Sequence, residues 1–381
     1  MDFSTDLKIG IVGGGQLGKM LIQAAKRMGL YVAVIDPTPD SPAGQIADRQ
    51  IVSDFYDEES IKQLASSCDI TTYEIEHINV EVLKELEQKG YKIYPSPYVL
   101  EIIQDKSKQK QMLTDNNIPT AKWQKVDGDL ASALTSFGLP AVQKACKGGY
   151  DGRGVFVIHN ADDIKNSLKC ESFLEEQIDF EKELAVMVSR NSQGEIKCYP
   201  VVEMIFDTKA NICDSTIAPA RIDKKVQKQA IDIAVNCVEV LKGVGVFGIE
   251  MFVTKDGSVM VNEIAPRPHN SGHYTIEACI TSQFEQHLRA IMNLPLGATD
   301  LIIPSVMVNI LGAEGYEGKP IYEGLEDVLK IPGANVHIYG KKVTKPYRKM
   351  GHVTIVDSDI ESAIEKGRHI KQVLKVISGG N

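Results

Sequence analysis

Residues 246–265 read VFGIEMFVTKDGSVMVNEIA, and an Asp-Gly pair between two apolar runs is among the strongest short-range signals of a β-hairpin. A two-residue turn at Asp256-Gly257 fixes the register and sets Glu250 directly across from Glu263 on one face of the ladder. Like charges in that position repel and weaken the pairing. Water could screen them on an exposed face, yet Phe247, Ile249, Phe252 and Val261 make the strands apolar around them. A divalent cation held by carboxylate oxygens and by the phosphate oxygens of a nucleotide offsets the repulsion more naturally. The same register turns Asn262 to the opposite face and weakens its claim as a ligand.

The N-terminal hundred residues obey a different pattern. Apolar runs LKIGIVG (7–13), YVAVIDP (31–37), DITTYEIEHI (69–78) and YKIYPSP (91–97) alternate with helical stretches, one opening in GGGQLGKMLIQAAKRMG and one near 80–89. That β-α-β-α-β rhythm predicts a parallel sheet with helices on both faces. Pro95 and Pro97 break it and mark a boundary. From about 100 to 298, helices such as DKSKQKQMLTDNN and KKVQKQAIDIAVNCVEVLKG mix with strands and hairpins in α+β style. A third set of strands (SVMVNILG, VHIYGKK, HVTIVD) begins near Pro304. It is closed by a helix on which Ile360, Ala363, Ile364, Ile370, Val373, Leu374 and Ile377 recur at helical spacing. The expected class is α/β and α+β, in three domains: 1–99, 100–298 with a lid at about 115–185, and a small β-rich domain over 299–381.

Composition narrows the partners. With 43% hydrophobic and 24% charged residues and no long apolar run, the chain reads as a cytoplasmic globular protein. Its seven cysteines are scattered without a C-x-x-C pair, which argues for reduced thiols rather than disulfides or a zinc cage. A formal charge of −9 repels a phosphate backbone, so nucleic acid is not expected as a partner.

Two glycine loops point to anions. Gly13, Gly15 and Gly18 fit G-x-G-x-x-G between a strand and a helix, and Asp36 ends the following strand where a ribose-binding acid would sit. Taken alone, this pattern suggests a nicotinamide dinucleotide; a mononucleotide phosphate or close helix–strand packing would use the same glycines. The second loop, KACKGGYDGRG (144–154), lies between the extended runs LPAVQK and VFVI and reads as a flap. Its glycines let backbone amides fold over phosphate oxygens while Lys144 reaches in as a point charge. A solvated mobile hairpin is the alternative. Further on, SFLEEQIDFEKELAV (172–186) offers backbone for an adenine at Glu175, Glu176, Gln177 and Ile178, and Glu183 for ribose hydroxyls, although isolated acids are more often plain surface residues.

The flap with Lys144 and GGYDGRG, the acidic stretch after it, and the Glu250/Asn262/Glu263 hairpin ending in APRPHNSGH together resemble the ATP-grasp superfamily. Within it they resemble the 5-(carboxyamino)imidazole ribonucleotide synthetases of purine biosynthesis. GIVGGGQLGKML, YEIEH, KGGYDGRG, GIEMF, NEIAPRPHNSGHYT and YRKMGH come in that family's order over nearly the whole chain.

The resemblance implies an N-terminal Rossmann-like preATP-grasp domain, the ATP-grasp fold and a small C-terminal domain. It implies ATP contacted by Lys106, Lys144, Gly149, Tyr150, Asp151, Gly152, Arg153, Gly154, Glu175, Glu176, Gln177, Ile178, Glu183, Asn262 and Glu263, with magnesium on Glu250 and Glu263. Glu203 joins the ATP set although Met204 and Asn211 depart from the family's pattern around it. 5-Aminoimidazole ribonucleotide would meet Gln16, Glu76, Tyr150, Asp151, Arg153, Arg267, His269, Asn270 and Ser271, with Lys341 and Arg348 on its phosphate; Asp36 then becomes structural. The implied reaction carboxylates the exocyclic amine with bicarbonate, through carboxyphosphate, releasing ADP and phosphate. Arg267, Lys144 and His269 would be catalytic, and a homodimer is the family's habit. A nicotinamide oxidoreductase, a nucleotide-sensing module and an amino-acid ligase of the same superfamily remain as rivals, separated by whether ADP release needs bicarbonate.

Overall fold

The computed structural model describes residues 4–149, 154–207 and 212–379. Near the N-terminus four parallel strands run in the order Arg49–Ile51, Tyr31–Ile35, Lys8–Val12, Ile70–Tyr73. The helix Gln16–Arg27 buries Leu17, Met20, Leu21 and Ala24 on one face, against Phe284 and Leu288 of the helix Gln283–Ile291. Helices Glu58–Ser67 and Val80–Gln88 cover the other face through Ile61, Leu64, Val82 and Leu83. The run at 91–97 forms no fifth strand; it contributes one parallel bridge, Thr71 to Ile93. Pro95 and Pro97 lack the amide hydrogens a ladder needs, and Ser96 instead caps the helix Pro97–Gln104.

Nine antiparallel strands build the main sheet, in the order Val259–Ala265, Gly245–Thr254, Phe180–Arg190, Val202–Asp207, Ile212–Ala218, Ser305–Leu311, Lys349–Val356, Ala334–Ile338, with Ile196–Cys198 paired to Phe180–Arg190. The strands after residue 304 extend this sheet, because Thr216 pairs with Met307. The amphipathic helix Lys224–Leu241 packs Val226, Ala230, Ala234 and Val238 onto Leu184, Val186 and Phe247. The closing helix ends at Val373, where Leu374 turns extended, so Ile377 lies on a strand (Lys375–Ser378) paired with Pro320–Glu323.

The lid carries its own four-stranded sheet: Trp123–Lys125, Ser172–Glu176, Ala141–Ala145, Val155–Ile158. Lys144 pairs with Val155, so the glycine loop does join two antiparallel strands as the sequence implies. The helix Lys106–Asp115, capped by the Asp105 side chain, lies between lid and main sheet.

Candidate nucleotide site

The hairpin reaches the expected pairing by an unexpected route. Its turn has three residues, Lys255, Asp256 and Gly257, closed by the Thr254 amide donating to the Ser258 carbonyl at 3.0 Å, with Gly257 at φ +80°. Val253 therefore pairs with Val259 and Met251 with Val261. Continued unbroken, that register would set Glu250 against Asn262. A bulge between Met251 and Glu250 inserts one extra residue, and Glu250 faces Glu263. The bulge also re-aims Asn262, whose Oδ1 accepts from Lys144 Nζ at 3.1 Å. The sequence reading that turned Asn262 away from the cleft is thus corrected. Gln109 pins this edge strand, accepting from the Ile264 amide at 3.0 Å and donating to the Ile264 carbonyl at 3.4 Å.

Acids and lysines interleave along the cleft. Lys106 Nζ lies 2.8 Å from Glu263 Oε2; burial pulls its pKa down, but Glu263 and Glu250 outweigh that and raise it. Burial, then the charges of Glu263 and Glu183, push Glu250 up to about 8. Glu183 is pushed up to about 7 by burial, against the pull of Lys144. It sits on the same sheet face, since Phe252 pairs with Glu183 and Glu250 with Ala185. Glu175 is buried and ion-paired to both Lys110 and Lys144. Burial pushes its carboxyl up, but the two ammonium groups prevail and hold it below its usual range. Lys106, Gln109, Lys110, Lys144, Phe173, Asn262 and Glu263 line one pocket.

Beyond the hairpin, Arg267 Nη2 lies 2.8 Å from Glu76 Oε1, joining the main sheet to the N-terminal domain. Arg267 Nε and Asn270 Nδ2 are buried donors with no hydrogen-bond partner among the described residues. Such groups are unfavourable unless a ligand takes them up. His269 Nε2 is 3.3 Å from Glu250 Oε1, and its Nδ1 is 2.9 Å from Ser271 Oγ. Gln283 fixes this turn by accepting from the His269 amide at 2.9 Å and donating to its carbonyl at 2.8 Å. His273 faces away: it is buried, 4.6 Å from the His352 ring, and burial holds it well below the usual imidazole range. Lys341 Nζ lies 5.8 Å from the Tyr339 ring centre. Arg348 donates to the Val343 carbonyl at 2.8 Å, and Gln16 opens the helix after the first glycine loop.

One expected residue stands elsewhere. Glu203 pairs with Leu184, whereas Met204 pairs with Glu183, so Glu203 occupies the sheet face opposite the acids of the cleft. Lys182 and Arg221 hold it there at 3.0 and 2.7 Å; alternation along the strand excludes it from the site. Glu176 and Gln177 are exposed and Ile178 half-buried where the lid strand leaves its sheet. Gly149 and Gly154 flank the flap, while Tyr150, Asp151, Gly152 and Arg153 lie outside the described residues. Sequence reasoning missed Lys110 and Glu74. Lys110 was legible as one helical turn beyond Lys106; Glu74, a loop acid after a strand, carried no local signal.

Three family models match in tandem: a ribonucleotide synthetase preATP-grasp domain over residues 7–104, an ATP-grasp domain over 111–284, and a phosphoribosylaminoimidazole carboxylase C-terminal domain over 305–366. The N5-carboxyaminoimidazole ribonucleotide synthase of Bacillus subtilis is 43% identical over 364 residues, spanning 94% of this chain and 93% of its own. The crystal structure of N5-carboxyaminoimidazole ribonucleotide synthetase from Thermotoga maritima is 60% identical, with TM-score 0.91 over 98% of this chain and 100% of that one. An Aspergillus clavatus synthase solved with ADP and 5-aminoimidazole ribonucleotide is 36% identical, with TM-score 0.89 over 97% and 98% of the two chains. With like relatives over nearly its full length and a carboxylate pair among lysines at its centre, the chain belongs to the N5-carboxyaminoimidazole ribonucleotide synthase family of ATP-grasp ligases.

Proposed function

We propose that the chain transfers the γ-phosphoryl group of ATP to bicarbonate. The carboxyphosphate so formed carboxylates the exocyclic amine of 5-aminoimidazole ribonucleotide, and ADP and phosphate leave. The observation that carries this reading is Glu250 set opposite Glu263 beside Lys106 and Lys144. Phosphoryl transfer needs positioning and charge neutralisation more than covalent help from the protein. Lys106 and Lys144 meet phosphate oxygens in the proposal, and the flap around Gly149 and Gly154 keeps water from the mixed anhydride. Arg267 presents its buried, unpartnered Nε to the carboxyphosphate, a planar fork suited to two oxygens. His269 and Asn270 orient the ribonucleotide, and the Glu76–Arg267 pair stations the guanidinium at the domain boundary.

The residues present fit a magnesium ion. No group of three or more His, Cys, Asp or Glu among the described residues is arranged to hold a metal ion by itself, and a hard cation that keeps its waters needs only one or two carboxylates plus phosphate oxygens. Glu250 and Glu263 would hold it, and it would supply charge neutralisation at the β- and γ-phosphates. Burial, then repulsion from Glu263 and Glu183, raises Glu250, and a cation between the paired carboxylates would relieve the repulsive part. We also propose the division 1–99, 100–298 and 299–381 as the functional domains, and a homodimer. Exposed Ile280 and Ile302, brought together by the Cys279–Leu301 bridge, support association; sedimentation tests it.

The deciding experiment measures ADP release with 5-aminoimidazole ribonucleotide, with and without bicarbonate, while tracking labelled carbon into product. Dependence on both is expected, and Arg267→Ala should abolish product while ATP affinity stays within a few fold. ADP release indifferent to bicarbonate would sink the assignment.

A further inference from the structure

Lys110 projects from the helix Lys106–Asp115 one turn beyond Lys106, and its side chain is only 3% exposed. Among the described residues it makes two polar contacts: an ion pair with Glu175 on the lid strand and a hydrogen bond to Thr120 Oγ1 at 2.5 Å. Glu175, 4% exposed, takes Lys110 on one carboxylate oxygen and Lys144 on the other. Lys144 also reaches Asn262 on the hairpin. Two ammonium groups thus share one carboxylate, and the triad carries a net charge of +1 behind the pocket that Lys110 and Lys144 line.

That sharing has an electrostatic consequence. A buried carboxylate with a single lysine forms a neutral pair, and pairing one charge with another removes most of the field either presents to a third. With Lys110 absorbing half of the charge of Glu175, Lys144 keeps charge to spare for an anion entering the pocket. The same helix sends Lys106 to Glu263, so one element supplies an ammonium partner to both the hairpin and the lid strand. Burial and the neighbouring Lys144 hold Lys110 below its usual range against the pull of Glu175.

We propose that Lys110 is a positioning residue for nucleotide binding: by neutralising Glu175 it leaves Lys144 free to engage the polyphosphate. The inference rests on the nucleotide reading of the cleft. It assigns Lys110 no contact with the reacting atoms.

The test compares wild type, Lys110→Met, Lys110→Arg, Glu175→Gln and the double variant Lys110→Met/Glu175→Gln. The readouts are KM for ATP and kcat in ribonucleotide-dependent ADP release, together with direct titration by a fluorescent ADP analogue. Lys110→Met should weaken nucleotide binding about tenfold, raising KM by far more than it lowers kcat. Lys110→Arg should stay within about threefold of wild type, and the double variant, with Lys144 alone at +1, should recover most of the loss. Glu175→Gln alone, at +2, should bind nucleotide at least as tightly as wild type. Should Lys110→Met fail to fold, Glu175→Gln decides: binding weakened tenfold overturns the proposal. A double variant no better than Lys110→Met, or a Lys110→Met protein with unchanged affinity, also overturns it. Wild-type ADP release that ignores the ribonucleotide would defeat the functional reading instead, and the titrations would still judge Lys110.

Discussion

Two glycine-rich loops in this chain follow apolar strands, and they are packed differently. In the first, the Gly14 amide donates to Asp36 Oδ2 at 2.9 Å and the Gly15 amide to Glu74 Oε1 at 2.5 Å. The amides that a dinucleotide phosphate would use are already occupied by the protein's own carboxylates. A Cβ on Gly13 or Gly15 would come within 2.6 or 2.7 Å of the Glu74 side chain, so these glycines exist for close packing. Asp36, which also accepts from the Thr38 amide at 2.8 Å, is a structural brace. In the second loop, a Cβ on Gly148 would meet none of the described residues within 4 Å, and Gly148 and Gly154 both sit at φ +77°. Glycine spacing therefore reports that something must come close. It does not say whether the visitor is a ligand or the protein itself.

The sharpest way to break this contrast is at the cleft beneath the second loop. Glu263→Gln removes half of the carboxylate pair and should lower ADP release by about a thousandfold, with a nearly unchanged melting temperature; full activity would detach the hairpin from the chemistry. At the first loop the order reverses. Gly15→Ala forces a methyl into Glu74 and should destabilise the fold by about 2–4 kcal/mol, while KM for ATP in the surviving folded protein stays within about twofold. Chemical denaturation and steady-state kinetics on the same sample separate the two effects.

Glu74 supplies a pH signature for the first loop alone. Burial raises its pKa to about 7 although the Gly15 amide and Arg267 pull it down. The folded state therefore keeps a proton that the unfolded chain loses near its ordinary value. The associated stability is full below about pH 4.5 and is lost as pH rises through about 7. Glu74→Gln mimics the protonated form, so its stability relative to wild type should grow by about 2.5 kcal/mol between about pH 5 and pH 8. Urea unfolding at the two pH values checks this, and a constant difference would mean that Glu74 is ionised throughout. The smallest effect belongs to Gly148→Ala, where only the left-handed backbone is at stake. A loss of about 1 kcal/mol is expected, and a larger one in thermal unfolding would show that the second loop is also packed.

Much of the fold was legible because it rests on periodicity. Alternation exposed the parallel strands of the first domain and both arms of the 246–265 hairpin, and helical spacing exposed Lys224–Leu241. Errors fell where propensity met a competing constraint. The prolines at 95 and 97 denied the fifth strand its amides, and an apolar Ile377 served a strand as readily as a helix. At the site, Lys106, Lys144, Glu183, Glu250 and Glu263 converge as the motifs implied. Glu203 does not, because a residue one step along a strand crosses to the other face.

The Glu250–Glu263 pairing shows most plainly what each level contributes. The two apolar arms and the Asp-Gly signal placed both acids on a single hairpin, and the alternating pattern required that one face be buried. The turn carries three residues instead of two, and the bulge that compensates for it arises where Gln109, Pro119 and Lys144 hold the edge strand in place. Those partners lie more than a hundred positions away in the chain. Local preference chooses strand and turn, whereas register and side-chain direction are settled by whatever the finished strand packs against.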